Sequence, residues 1–195
     1  MSTTQPIRDK KHLQDFKNYY RNSAPDFRNY TLIIVGLNTA LRINDILHLT
    51  YDAVYRGSKV RTHIVVKERK TGKESRIFLN REVTLVLTLY RKKLIETPMH
   101  RMGNPYLFPS PVKENAPLSR YQAYRIIAKA AADTGLEDHI SCHSLRKTFG
   151  YHAWRQGTDP MLIMTVLNHS SIRITMRYLC IEQEDKDNVF RKLQI

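Results

Sequence analysis

One segment of this chain differs in residue type from everything around it. Residues 60–79 are rich in β-branched side chains and are divided near the middle by Lys70-Thr71-Gly72-Lys73, which is typical of a turn. These features predict a β-hairpin, with a short strand before it around Asp52 to Tyr55. Apolar residues elsewhere recur at helical spacing, so the sequence predicts a mainly α-helical fold with a small antiparallel β-sheet inserted early, an α+β class.

Local start and stop signals divide the rest of the chain into helices. The predicted helices are Asp9 to Tyr20, an apolar helix from Asp26 to Leu41, a short one opening at Asn44 or Asp45, Arg81 to Glu96 with a stop at Pro98, Ser119 to Gly135, Ser141 to Gln156, Met161 to Asn168, and one that begins at Ser171. Residues 1–8 have the composition of a flexible lead-in, His100 to Pro117 is irregular, and residues 182–195 form a polar tail. No repeat or clear domain boundary interrupts this pattern, so we expect a single domain over residues 1–195.

The charge of the chain indicates a polyanionic partner. Lysine and arginine total 32 against 18 acidic residues, a net charge of +14. Eight of the basic residues lie between Arg56 and Arg76, on and around the predicted hairpin. A membrane surface would require a basic amphipathic anchor, whereas these charges are spread along the chain. Double-stranded DNA, with its dense phosphate charge, is therefore the expected partner, and no membrane association is expected.

The two cysteines and the N-terminal segment indicate the compartment. Cys142 and Cys180 do not make a disulfide framework, and Met1 to Lys17 lacks the apolar run of a secretory signal. We therefore expect a soluble protein in a reducing cytoplasm. Cys142 lies beside His143, but no nearby residue supplies an orienting acid, so a buried structural thiol is favoured over a nucleophile.

Chemistry-bearing residues cluster near the C-terminus. His143 and Arg146 are three positions apart and share one face of a predicted helix near its N-terminus, where free backbone N–H groups favour a bound phosphate. His169 and Tyr178 follow in the last two predicted helices. A tyrosine hydroxyl has an ordinary pKa of about 10 and is a weak nucleophile at neutral pH. Two imidazoles and a guanidinium around one tyrosine therefore predict a hydroxyl activated for attack on a phosphate.

A further arginine lies in the N-terminal half. Arg42 ends the strongly apolar helix and precedes Asp45 by three residues. In one interpretation the two side chains form a structural ion pair. In the other, Arg42 is a second phosphate-binding arginine, and the Asp45 carboxylate holds it in position.

Taken in order, these residues resemble the tyrosine recombinases, the phage integrase family. Leu41-Arg42-Ile43-Asn44-Asp45 is similar to the family's first arginine box, and Cys142-His143-Ser144-Leu145-Arg146-Lys147-Thr148-Phe149 to its second. Leu167-Asn168-His169-Ser170-Ser171, with Thr175 and Tyr178, resembles the third. Each box is modest alone, whereas the ordered set, from about residue 10 to about residue 182, is specific.

The resemblance implies a tyrosine recombinase catalytic domain that breaks and rejoins DNA with no cofactor and no metal. Tyr178 would attack a phosphodiester, while Arg42 and Arg146 bind the phosphate oxygens. His143 would take part in proton transfer with the tyrosine, and His169 would donate a hydrogen bond to the phosphate.

The hairpin would supply a lysine that protonates the departing 5′-oxygen, and the resemblance does not single out which one. Lys70 is preferred because it lies at the turn, with Lys67 and Lys73 as alternatives. Arg69 is expected to contact DNA beside them.

The resemblance also concerns size and assembly. About 25 residues precede the predicted core helix, so we expect the compact form without an N-terminal core-binding domain, as in fimbrial-switch inverters. Members act as oligomers on DNA, which implies a tetramer here. Val189, Phe190 and Leu193 would then form a short helix that docks on a neighbouring protomer, or one that folds back on its own domain.

Three other functions remain open at this point. Residues 159–179 also fit a helix–turn–helix, and a non-catalytic DNA-binding regulator or inactive remnant would use it. His139, Cys142 and His143, with His152, are candidate metal ligands, although no Cys-x-x-Cys or His-Glu-x-x-His spacing is present. A type IB topoisomerase would share the same residues and relax supercoils without exchanging partners.

Overall fold

The computed structural model of the chain describes residues 4–97, 100, 103–181 and 183–193. The helices are α1 (Lys10–Asn18), α2 (Phe27–Asn38), α3 (Ile43–Leu47), α4 (Tyr51–Val54), α5 (Arg81–Leu94), α6 (Arg120–Asp133), α7 (Cys142–Arg155), α8 (Pro160–Val166), α9 (Ile172–Leu179) and α10 (Gln183–Lys192), with a π-helical turn (Tyr19–Ser23) between α1 and α2. None of these helices is long and apolar enough to cross a membrane. Parts of the predictions fall on residues 1–3, Pro98, 101–102, Glu182 and 194–195, which lie outside the described residues.

Side-chain caps begin the two helices that matter most for function. The Ser141 hydroxyl accepts the backbone N–H of His143 at 3.4 Å and starts α7. Ser171 accepts the N–H of Ile174 at 3.4 Å and starts α9, which carries Tyr178. Each cap gives a partner to a backbone donor that the helix itself leaves without one. Asp26, Ser119 and Asp159 likewise cap the helices that follow them with their side-chain oxygens.

The predicted sheet is present as two short antiparallel pairs of strands. Strand β3 (His63–Lys67) pairs with β4 (Glu74–Phe78), and the loop at residues 68–73 closes this hairpin. Strands β1 (Tyr55–Arg56) and β2 (Lys59–Val60) form the smaller pair. The hairpin packs on the helical body through Ile64 and Val66, and the combination of helices with a small antiparallel sheet confirms the predicted fold class.

The strand predicted around Asp52 to Tyr55 is wrong for most of its length. Tyr51–Val54 forms helix α4, because the Thr50 hydroxyl accepts the backbone N–H of Ala53 at 3.2 Å and caps a helical turn. Only Tyr55 of the predicted segment lies in a strand. Local capping here outweighs the β propensity of the aromatic and β-branched side chains.

Helix α2 lies at the centre of the main core. All residues from Thr31 to Leu37 are buried, and the helix packs against α1, α5 and α7. A Cβ on Gly36 would lie 2.5 Å from Leu145 Cδ1, so the absence of a side chain permits α2 and α7 to approach closely. This packing brings Arg42, just beyond α2, to the N-terminal part of α7.

A smaller apolar cluster fixes the C-terminal helices. Leu167, Leu179 and Ile163 are almost fully buried with Ala40, and the ring of Tyr178 packs against them. The cluster spans the end of α2, helix α8 and helix α9. Burial of these side chains therefore fixes the tyrosine-bearing helix on the body of the protein.

Residues 4–8 are packed, which corrects this part of the flexible lead-in predicted over residues 1–8; residues 1–3 lie outside the described residues. Ile7 is 1% exposed, and its backbone N–H donates to the Thr148 hydroxyl at 2.9 Å. The Lys147 ammonium donates to the backbone carbonyl of Thr4 at 2.6 Å. Residues 4–8 are thus anchored to α7 by one apolar side chain and backbone contacts, which composition alone does not reveal.

The polar tail contains helix α10, which contacts the C-terminal end of α7. Arg155 and Asp185 form an ion pair at 2.9 Å. Val189, Phe190 and Leu193 are between 61% and 77% exposed. The apolar residues of the tail are therefore largely exposed, contrary to a helix buried on its own core.

Candidate active site

Arg146 is buried at the junction of three segments. Its guanidinium is on α7, is 2% exposed, and donates to the backbone carbonyls of Ala40 and Leu167. Ala40 follows α2, and Leu167 ends α8 just before His169. Burial lowers the pKa of Arg146 from its ordinary value, yet arginine remains protonated at neutral pH. The site therefore contains a fixed, partly desolvated positive charge.

Tyr178 lies against this charge. Burial raises the pKa of the Tyr178 hydroxyl, while the charges of Arg146 and Arg42 and a hydrogen bond with Arg146 act to lower the pKa. The ring of His169 packs edge-on at 4.9 Å between centroids, and the Lys147 ammonium is 5.6 Å from the centre of the tyrosine ring. The hydroxyl is thus protonated at neutral pH and oriented by its neighbours.

His169 is held in the neutral form. Its Nδ1 lies 3.0 Å from the Thr175 hydroxyl, which is itself fully buried. Burial, together with the charges of Arg146 and Arg42, lowers the pKa of His169 to about 4. A neutral imidazole with one nitrogen engaged by Thr175 leaves the other nitrogen for a phosphate or a proton.

Arg42 pairs with Glu68, which corrects the predicted pair with Asp45. The Arg42 guanidinium contacts the Glu68 carboxylate, whose residue is 2% exposed. Arg42 is the N-cap of α3, with extended backbone angles, so its side chain does not share a helical face with Asp45. The Asp45 carboxylate instead accepts the backbone N–H of Arg69 at 2.9 Å. Asp45 therefore supports the hairpin loop.

The hairpin loop, α3 and the first residues of α6 and α7 line a groove of about 330 Å³. Four of its eight lining residues are cationic, namely Arg42, Arg69, Lys70 and Arg120, and the others are Ile43, Asn44, Asp45 and His143. Lys67 and Lys73 are exposed and do not line this groove. A concave surface with four cationic side chains matches a phosphodiester.

The two halves of the site are electrostatically coupled. Burial lowers the pKa of His143, and the nearby charges of Arg120, Arg146, Lys147 and Arg42 act in the same direction. Arg42 likewise acts on Tyr178 and on Arg146. The structure therefore brings the predicted residues of both sequence halves, Arg42 and His143 with Arg146 and Tyr178, into one site.

Two residues of the site were not found from the sequence. Arg120 immediately follows the predicted Ser119 cap, but nothing in the local pattern relates it to the groove. Glu68 lies within a strongly basic segment, and its buried contacts arise from tertiary packing. Neither position carries a signal that a single sequence would reveal.

The cysteine and metal interpretations receive no structural support. Cys142 is buried, and burial raises the pKa of its thiol to about 11, which disfavours a thiolate. Within the described part of the chain, His139, Cys142, His143 and His152 do not gather into a group that could hold a metal ion.

The arrangement agrees with the comparison to known families. The model for the phage integrase family matches residues 8–184. The chain belongs to the phage integrase family. This membership confirms the resemblance to tyrosine recombinases and the prediction of an enzyme that breaks and rejoins DNA strands.

Similar sequences carry related names. The chain is 41% identical over 184 residues to the probable integrase/recombinase YoeC of Bacillus subtilis, a match that covers 94% of this chain and 93% of that protein. It is 41% identical over 175 residues to the type 1 fimbriae regulatory protein FimE of Escherichia coli, covering 86% and 82%. Tyrosine recombinase XerD of Corynebacterium glutamicum is 28% identical over 168 residues, and the match spans 85% of this chain but only 52% of that relative.

Solved structures share the fold. XerA recombinase superposes with a TM-score of 0.79 at 19% identity, over 99% of this chain and 68% of that one. XerH in a post-cleavage complex with its palindromic difH substrate gives 0.79 at 18% identity, over 98% and 53%. These likenesses establish the architecture, and they show that the chain spans little more than half of XerH.

The neutral histidines predict a pH-dependent stability. A pKa of about 4 for folded His169 lies below the ordinary value near 6.5, so the unfolded chain binds more protons between these values. The contribution of His169 to the free energy of unfolding is complete above pH 6.5 and is lost as the pH falls towards 4. His143 and His152 add to this loss, because their pKa values are also lowered. Urea unfolding at pH 6.5 and pH 4.5 measures the change.

The matched variant is His169→Asn, with His139→Asn as the control because His139 is exposed. His169→Asn should reduce the pH dependence, and His139→Asn should leave it unchanged. An undiminished dependence in His169→Asn would contradict the burial argument.

Proposed function

We propose that the chain is a site-specific DNA recombinase in which Tyr178 is the nucleophile. The hydroxyl oxygen attacks a scissile phosphorus, the bond from phosphorus to the 5′-oxygen breaks, and a 3′-phosphotyrosyl bond forms with a free 5′-hydroxyl. The observation that supports this most strongly is the convergence of Tyr178, Arg146 and His169 near Arg42, which itself lines the cationic groove.

The two arginines stabilise the charge of the transition state. Arg146 is preorganised by two backbone carbonyls, and Arg42 by the Glu68 carboxylate, so neither guanidinium must reorganise as charge builds on the phosphate oxygens. Loss of one such donor costs roughly a hundredfold to a thousandfold in rate in comparable sites. His169, neutral and steadied by Thr175, donates a further hydrogen bond to the phosphate.

Proton transfer requires one group on each side of the phosphorus. His143 lines the groove and has a lowered pKa, so it is neutral and able to accept the tyrosine proton. Lys70 lines the same groove and protonates the departing 5′-oxygen, a role for which the exposed Lys67 and Lys73 are less well placed. Because the phosphotyrosine retains the energy of the broken bond, an incoming 5′-hydroxyl can reverse the steps without nucleotide hydrolysis.

The proposed DNA partner is consistent with the net charge of +14 and with the surface of the groove. On this proposal the protein acts on DNA in the bacterial cytoplasm, in association with the nucleoid.

We predict that Tyr178→Phe abolishes covalent adducts on a nicked suicide substrate and leaves DNA binding within about twofold, because only the nucleophilic oxygen is lost. Denaturing gel electrophoresis measures the adduct, and a mobility shift measures binding. A Tyr30→Phe variant serves as the control for loss of a tyrosine hydroxyl elsewhere.

The outcome separates the alternatives. A non-catalytic regulator would bind the cognate site with no adduct in the wild type, which would overturn the proposal. Adducts with relaxation of supercoils but no strand exchange between two sites would instead assign a topoisomerase.

Assembly on DNA is the second part of the proposal. Phe190 is 77% exposed on α10 beside the exposed Val189 and Leu193, and an apolar surface of this kind is suited to a neighbouring protomer. We infer a homo-oligomer on DNA, with four copies at a synapse of two sites.

Phe190→Asp should therefore weaken the assembly on DNA at least about tenfold, since a carboxylate would be buried at the contact. Its melting temperature should match the wild type, because the side chain is exposed. Leu85→Asp, 61% exposed on α5, is the matched control and should assemble normally. Normal assembly by Phe190→Asp, measured by sedimentation with DNA, would rule out docking through this face.

A further inference from the structure

Glu68 is a buried acid at the base of the hairpin loop. It follows β3 and is 2% exposed, although the segment around it is strongly basic and mostly exposed. A buried carboxylate is costly unless its oxygens have charged or hydrogen-bonding partners. The Glu68 carboxylate therefore requires such partners within the protein.

The carboxylate connects three separate parts of the site. One oxygen accepts from the Arg42 guanidinium and, at 2.8 Å, from the Thr71 hydroxyl in the hairpin loop. The other oxygen accepts from the Asn168 amide at 2.9 Å. Asn168 immediately precedes His169, so a single side chain joins the first arginine, the loop and the histidine turn.

These partners keep the carboxylate ionised. Burial by itself would raise the pKa of Glu68, but hydrogen bonds from Asn168 and Thr71 and the charge of Arg42 outweigh it and lower the pKa below the ordinary value. Three polar contacts at an almost inaccessible carboxylate form a network, and each contact restricts the positions of the other partners.

The backbone of Glu68 also closes the loop that carries Lys70. Its N–H donates to the Lys73 carbonyl at 2.8 Å, and its carbonyl accepts the Gly72 N–H at 2.8 Å. Gly72 has a positive φ of 69°, which suits glycine at this turn. Lys70 lies at the apex between these contacts, so its position depends on how the base of the loop is anchored.

We propose that Glu68 is a positioning residue. It holds the loop that carries Lys70 and the Arg42 guanidinium in fixed positions relative to Asn168 and His169. The inference rests on the proposed cleavage by Tyr178 and adds a residue that acts through its partners without touching DNA. Removing its charge releases the loop, so proton donation to the leaving 5′-oxygen is impaired more than the attack by the tyrosine.

The test uses the full chain with Glu68→Gln, which preserves shape but replaces one acceptor with a donor. Cleavage rates are measured on two suicide substrates that differ only in the bridging atom, 5′-oxygen or 5′-sulfur. A thiol has a pKa near 8.5, so a thiolate departs without the proton that an oxygen leaving group requires. The matched control is Glu74→Gln, because Glu74 is an exposed acid on the same hairpin.

Glu68→Gln should cleave the oxygen substrate about tenfold to a hundredfold more slowly, as expected for a misplaced catalytic group. Its ratio of sulfur to oxygen rates should exceed the wild-type ratio at least about tenfold, and Glu74→Gln should match the wild type. A structural defect alone would slow both substrates equally and leave the ratio unchanged, which would overturn the inference. If the wild type cleaves neither substrate, the proposed function itself is wrong.

Discussion

The buried guanidinium of Arg146 is the interaction on which the site depends. Moving an arginine out of water costs several kcal/mol unless its N–H groups find acceptors. Here the carbonyls of Ala40 and Leu167 supply them, and among the described residues no carboxylate lies within 4.0 Å of this side chain. The contacts tie the end of α2 to the end of α8, and the carboxylates of Glu68 and Asp45 act on the positive charge only from beyond ion-pair distance. A phosphate that arrives beside Arg146 would supply a negative charge within that distance.

That charge also explains the state of the neighbouring groups. His169 is neutral because protonation would add a second buried cation, and Tyr178 remains protonated because burial outweighs the nearby arginines. In the free protein, the site therefore contains a fixed cation on Arg146, a neutral imidazole on His169 and a neutral phenol on Tyr178. DNA changes this balance, since each phosphate carries the negative charge that Arg42 and Arg146 are arranged to bind.

Local signals made much of the fold predictable from the sequence. The serine caps at Ser141 and Ser171 and the turn at residues 70–73 depend on neighbours in sequence, and each is present in the structure. The order of the boxes likewise revealed the family, because Arg42, His143 and Tyr178 retain their spacing. Such signals predict the local conformation of the backbone and the types of residue in the site.

The failures share a different physical cause. The partner of Arg42 is Glu68, 26 positions away, and only the packing of the hairpin on α3 selects it over the nearer Asp45. Ile7 anchors the N-terminal segment through a contact with Thr148, 141 positions away. In each case a contact between residues distant in sequence replaces the expected local structure. Such contacts cannot be inferred from the local pattern of a single sequence.

The central claim is that one particular tyrosine attacks DNA, and the chain contains 11 tyrosines. The most direct measurement is mass spectrometry of the covalent adduct after digestion with nuclease and protease. The account predicts that the nucleotide is attached through its 3′-phosphate to Tyr178. Attachment to another tyrosine, or to a serine or cysteine, would contradict it.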